Sequence, residues 1–210
     1  MSTCDGYERH RQLQQDWAAA TLRALSRRSD LYLRAKQFYR QEHRLPYHSP
    51  HLRLSSDMDV ACLRGISDGL ALRILNSDDS LHQRLSPAEP VQALLFECLE
   101  QLRTESLADA TLWQGVSHNL IDNFTQWAQQ AHDDGLTESA TGLLIFTVLL
   151  ICWSHLNNQA VPEPLQDLLE ATRAGIGAVI GTDLAGLQRH RQQQVEYAHY
   201  ARRMARAIDQ

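Results

Sequence analysis

Apolar residues recur along most of this chain at spacings of three and four, the period of a helix face. From Tyr7 to His43 the pattern is polar and basic, with a possible break near Ser29-Asp30. Trp17, Leu22, Leu25, Leu31 and Leu33 would supply its buried side. Leu45 to Leu54 holds two prolines and reads as a connector. The cluster Ser55-Ser56-Asp57 starts a second helix that should end between Asn76 and Ser80. Ser86-Pro87-Ala88-Glu89 has the form of a capping box, opening a helix through Leu94, Leu95, Cys98, Leu99 and Leu102. Asp109 would cap the next helix, with Leu112, Trp113, Val116, Leu120, Phe124 and Trp127 inward and Asp133-Asp134-Gly135 at its end. Thr137 opens a helix carrying the strongly apolar run Leu143–Trp153. Pro164–Ile180 and Thr182–Ile208 make two more, joined near Gly181. No strand–turn–strand signal stands out. The expectation is an all-α chain: one compact bundle of about seven helices around a central apolar helix at about 138–156. Residues 1–54 form an N-terminal basic helix and connector, and residues 55–210 the helical domain.

The apolar run is too short for a membrane. Eleven helical residues span roughly 16 Å, about half of a bilayer core. It reads as the buried helix of a soluble, cytoplasmic protein, and Met1–His10 has no hydrophobic signal core.

The net charge of −5 conceals an asymmetry. Residues 1–54 hold ten Lys and Arg against five Asp and Glu, residues 55–190 six against eighteen, and residues 191–210 four against two. The ends are basic and the body acidic, unlike the dominant basic face of a nucleic-acid binder. Cys4, Cys62, Cys98 and Cys152 are scattered without a CxxC pair, which favours free thiols over disulfides or zinc.

The second helix is unusual. Ala61, Gly65 and Gly69 fall four apart, a stripe without bulk that admits another backbone, although each glycine costs about 1 kcal/mol against alanine. Arg64 and Asp68 stand at i,i+4 beside it, with Arg73 about a turn further. The expectation is a tightly packed helix with an embedded ion pair.

Other candidate chemistry is thin. Gly175-Ile176-Gly177-Ala178-Val179-Ile180-Gly181 lacks the preceding strand of a dinucleotide loop and reads as close helix packing with a glycine stop. His118/Asp122 and His155/Gln159 each offer two ligands on one turn, too few for a metal site. Glu97, Glu100, Arg103 and Glu105 form a charge series in which Glu100–Arg103 reads as a solvated pair. Two alternatives keep a place: a small enzyme using Glu100, Glu105, His118 and Asp122, and an RNA-binding domain using Arg189, Arg191, Arg202, Arg203 and Arg206 with Tyr197, His199 and Tyr200 on the last helix.

The segment Arg64-Gly65-x-x-Asp68-x-x-Ala71-Leu72-Arg73, followed by Asp79-Ser80-Leu81-His82-x-Arg84-Leu85-Ser86-Pro87, resembles the N-terminal helical region of the cobaltochelatase subunit CobT family. Glu100-Gln101-x-Arg103-x-Glu105 and Gly115-Val116-x-x-Asn119-Leu120 continue the likeness. The resemblance implies a non-chelating subunit of an ATP-dependent machine that inserts cobalt into a corrin ring, beside an AAA+ ATPase and a large corrin-holding subunit. It implies a protein-interaction and assembly module with no catalytic residue, metal or cofactor of its own. Homo-oligomers are admitted, and neither a membrane nor nucleic acid is expected as a partner. Arg64, Gly65, Asp68, Arg73, His82, Glu100, Arg103 and Asn119 become structural or interaction residues. The family's von Willebrand A domain with its DxSxS motif, and its acidic linker, do not occur in this sequence.

Overall fold

The computed structural model describes residues 3–55, 59–108 and 113–208. Among them are eight α-helices: α1 (Thr3–Ser26), α2 (Val60–Asn76), α3 (Asp79–Leu85), α4 (Pro90–Glu105), α5 (Gln114–Asp133), α6 (Ala140–Asn157), α7 (Glu163–His190) and α8 (Gln194–Ile208). Pro50–Leu52 and Leu136–Glu138 are single 3-10 turns. The fold is predominantly helical, with one small sheet of β1 (Leu31–Arg34), β2 (Gln37–Arg40) and β3 (His43–Arg44).

That sheet replaces the expected continuation of the first helix to His43. Arg27, at φ 55°, turns the chain out of α1. The strands pair antiparallel, Leu31 with Arg40 and Tyr39 with Arg44. Leu31, Leu33 and Phe38 point to one face, the period-2 pattern of a half-buried sheet. The hairpin turns on Ala35 and Lys36, both at positive φ, as a type I′ turn requires. Such a turn usually carries Asn or Gly, and without them the hairpin left no local mark. Trp17, expected inside, is 55 % exposed.

Helix starts obey short-range chemistry. Asp59 caps α2, its carboxylate accepting from the Cys62 amide at 2.8 Å. Ser56, Asp57, Asp109 and Leu112 lie outside the described residues. The capping box at Ser86 does not form. Glu89 is held extended (φ −70°, ψ 131°), as a residue before proline prefers, so α4 begins at Pro90 and Ser86 instead closes α3. The start of α6 moves from Thr137 to Ala140, with the Ser139 hydroxyl accepting from the Gly142 amide.

The glycine run forms no stop. α7 is continuous through Gly181, and the chain breaks at Arg191–Gln193 instead. A Cβ added at Gly175, Gly177 or Gly181 would meet nothing within 4 Å, so these glycines serve no close packing within the chain. Arg189 therefore lies on α7 and Arg191 just past it, not on the last helix.

Two cores result. The larger gathers α4, α5, α6, α7 and α8 around Leu99, Phe124, Phe146, Leu150, Cys152 and Met204. The central apolar helix is where the sequence placed it, with Trp153 stacked on Phe124 at 4.7 Å. It is the one described helix long and apolar enough to cross a membrane, and half of it is buried against the other helices. The smaller core joins Ala18, Leu22, Leu31, Phe38, Leu52, Ile66 and Leu70.

Candidate functional site

Between the two cores runs a seam of buried charge. On α4 the residues Glu97, Gln101 and Glu105 follow one another at i,i+4, so they share one face, and that face lies against α2. Glu100 and Arg103 stand on the neighbouring face. All five are buried, although each sits in a sequence that could equally serve a solvated helix.

The glycines of α2 make the approach possible. A Cβ at Gly65 would collide with the Asn119 carbonyl and the Asn123 side chain of α5. A Cβ at Gly69 would stand 2.8 Å from Glu105 Oε1. The stripe is real at these two positions, while Ala61 faces solvent.

Four clusters make up the seam. Glu97 receives Arg73 Nη2 at 3.0 Å, His82 Nε2 at 2.7 Å and the His48 backbone amide at 3.3 Å. Burial works to raise its pKa, but the His82 hydrogen bond and the Arg73 charge outweigh it and hold the carboxyl at about 2. The Arg73 guanidinium also lies over the Tyr47 ring at 5.1 Å, an electrostatic partner for donors that have no hydrogen bond at Nε and Nη1. Tyr47 donates to Asp79, and the His82 ring stacks on Phe96 at 4.7 Å.

Glu100 forms the second cluster. Arg103 grips it through Nε and Nη2, each at 2.8 Å, and Ser77 donates to it at 2.6 Å. Arg103 also donates to the Asn76 and Arg191 carbonyls, tying α2, α4 and the end of α7 together. Both side chains are 2 % exposed, so the solvated pair expected from the sequence is a buried bidentate one. The third cluster is Glu105, which meets His51 Nε2 at 2.9 Å and Gln101 Nε2 at 2.8 Å; Gln101 also donates to the Gly69 carbonyl.

Asp68 is the fourth. Its expected partner, Arg64, is exposed; the hydrogen bond comes instead from Asn119 Nδ2 at 2.8 Å. The i,i+4 spacing placed Arg64 on the outer side of a helix whose Asp68 turns inward against α5. Burial raises the Asp68 pKa to about 6, against the lowering effects of Asn119 and, at longer range, Arg64. Beside it, Asn123 donates to the His51 carbonyl at 2.8 Å.

The structure thus brings Gly65, Asp68, Arg73, His82, Glu100, Arg103 and Asn119 onto this one seam and leaves Arg64 outside. Sequence reasoning missed Tyr47, His51, Ser77 and Asn123, which lie on a connector, a helix end or α5 and carry no periodic signal. Glu97, Gln101 and Glu105 did carry one: their i,i+4 spacing opposite a glycine helix.

Chemically the seam is closed. Glu97, Glu100 and Glu105 are each engaged by donors, and Asp68, whose pKa is raised to about 6, is buried with Asn119 bound to it, so none of the four is displayed to a substrate. The carboxylate–histidine enzyme site does not assemble, because His118 and Asp122 are exposed on α5 while Glu100 and Glu105 are sealed inside. Among the described residues no group of three His, Cys, Asp or Glu has the arrangement of a metal site. Cys62, Cys98 and Cys152 are free and buried, and the Cys4 side chain lies outside those described. Burial pushes the Cys98 and Cys152 thiols up to about 12, far from the thiolate a nucleophile needs. On α8, Tyr197 is buried with its hydroxyl on the Leu99 carbonyl at 2.8 Å, and Arg203 pairs with Asp183.

Comparison with known proteins agrees with the motifs on this seam. Neither a curated protein nor a solved structure matches the chain. The family described as cobalamin biosynthesis protein CobT matches residues 14–210, which takes in the sheet, the seam and both cores. The chain belongs to the CobT family of cobalamin biosynthesis.

Proposed function

We propose that this chain is a helical protein-interaction and assembly module of a CobT-like subunit of an ATP-dependent cobaltochelatase. It works in cobalamin biosynthesis with an AAA+ ATPase and the large corrin-holding subunit, and performs no chemistry alone. The observation that carries this reading is the closed seam: the family's motif residues are spent on joining helices rather than displayed to a substrate. Seven of the eight sit between α2, α3, α4 and α5, where ion pairs and capped carbonyls fix helix register. A fold fixed in this way presents a constant outer surface to partners.

The test is copurification. The full chain, tagged, is coexpressed with the AAA+ and large chelatase subunits of the same genome. A stable complex with at least one of them supports the assembly role; failure with all of them, from folded protein, ends it.

A further inference from the structure

We propose that a groove between the small sheet and the connector docks a short acidic segment of a partner protein, one that alternates carboxylates with apolar side chains. The groove has a volume of about 250 Å³. Lys36, Arg44 and Arg53 stand on its rim, and Phe38, Leu52 and Leu70 belong to its floor. No acidic residue among the described residues lines it.

The rim is built from the sheet's geometry. Lys36 sits in the hairpin turn at positive φ, half-buried and lining the groove. Arg44 is the last strand residue of β3, paired across from Tyr39, which is itself paired with Tyr32. The two tyrosine rings stack at 5.4 Å and 9° and carry the surface on from Arg44 across the sheet's solvent face. Arg53 follows the 3-10 turn whose Leu52 is anchored in the smaller core. Lys36, Arg44 and Arg53 form no ion pair with a described residue, whereas nearby Arg40 is matched by Asp30. Three unmatched cations around an apolar floor are an unfilled electrostatic demand on a molecule whose residues 55–190 carry twelve more acidic than basic groups.

The floor chooses between classes of polyanion. Single-stranded nucleic acid is held by flat aromatic faces lining a long basic channel. Here the apolar lining is mostly aliphatic, Leu45, Leu52, Leu54 and Leu70 with Phe38, and the Tyr47 ring is already covered by Arg73. The neighbouring groove on the far side of Arg44 sets Asp78 and Asp79 among Arg28, Arg40 and His43. A strand of phosphates continuing that way would find a mixed wall, with Arg40 already paired to Asp30 and two carboxylates beside it, rather than a continuous basic channel. A short peptide ends before that wall. Arginine suits it further, because its planar fork takes a carboxylate through two bonds.

Fluorescence anisotropy with the full chain tests this. The probe is a labelled peptide of alternating Glu and Leu; a Lys–Leu peptide and an oligo(dT) of equal length serve as comparators. The Glu–Leu peptide binds at low salt, with affinity falling as salt rises, and the Lys–Leu peptide does not bind. Lys36→Glu with Arg44→Glu weakens binding by about tenfold or more, Arg53→Glu weakens it alone, and Arg173→Glu on the remote α7 leaves it unchanged. All of these residues are at the surface, and circular dichroism confirms folding. No binding of the Glu–Leu peptide, equal loss with Arg173→Glu, or tighter binding of oligo(dT) would each overturn the proposal.

Discussion

Arg73 of α2 and Glu97 of α4 meet at 3.0 Å, with the arginine 1 % exposed. The pair holds because neither charge faces water alone: the carboxylate has three donors and the guanidinium a tyrosine ring. Removing one partner strands the other. Arg73→Met should therefore cost about 3–5 kcal/mol, as for other broken buried pairs. Replacing both, by Arg73→Met with Glu97→Leu, should recover part of that loss. Urea unfolding followed by circular dichroism measures both; equal stability of the single variant and the wild type would show that the pair is not stabilising.

The Glu97 carboxyl, held at about 2 rather than 4.5, also sets an acid limit. A depressed acid contributes stability above its unfolded pKa and loses it as pH falls through the folded value. About 3 kcal/mol should disappear between pH 4.5 and 2. Glu97→Gln should flatten this part of the stability–pH curve.

Asp68 works with the opposite sign. Its folded pKa of about 6 lies above the unfolded 3.8, so its contribution is fully present below 3.8 and is lost as pH rises through 6. Stability should therefore rise on acidification from pH 7 to about 4 before the Glu97 effect reverses it. Asp68→Asn keeps an acceptor for Asn119 and removes the buried charge. It should stabilise the protein at pH 7 by roughly 2 kcal/mol and have little effect at pH 4. An unchanged melting temperature at pH 7 would contradict this.

Glycines divide by what surrounds them. Gly65→Ala drives a methyl group into the Asn119 carbonyl and should destabilise by several kcal/mol, about the upper range for overpacking. Gly175→Ala, Gly177→Ala and Gly181→Ala enter open space in a continuous helix and should each stabilise by about 0.5–1 kcal/mol. Thermal unfolding of the four variants separates the two groups.

The helices were legible in the sequence because their apolar spacing is local, and α6 was legible to within a few residues. The α2 glycines announced a close approach, which Gly65 against Asn119 makes. What stayed hidden depends on partners far along the chain. Asp68 has an arginine four residues away, yet its hydrogen bond comes from Asn119, 51 residues on. Glu100 and Arg103 read as an ordinary surface pair, and only the arrival of Ser77 and Arg191 explains their burial. The sheet was missed because its turn uses Ala and Lys at positive φ, and the α7–α8 break because Gly181 is a stronger local signal than Arg191–Gln193. The enzyme alternative needed His118 and Asp122 turned inward, and no spacing rule says which way a helix rotates on its neighbours.

The connector from Leu45 to Leu52 starts on an earlier anchor, the Phe38 carbonyl that holds the Leu45 amide, but its later part is fastened by residues much further on: the His48 amide by Glu97, His51 by Glu105 and Asn123. The clamp on Glu100 waits longer still, for the Arg191 carbonyl and for Gln194, which donates to Ser77 across 117 residues. On the ribosome the order is therefore imposed. The first fifty residues emerge able to pair the sheet and pack it on α1 but with these later anchors unsynthesised, and the seam cannot lock until α8 leaves the exit tunnel. A nascent chain arrested before α8 should remain open to proteases along α2 and the connector, and should become resistant in a single late step.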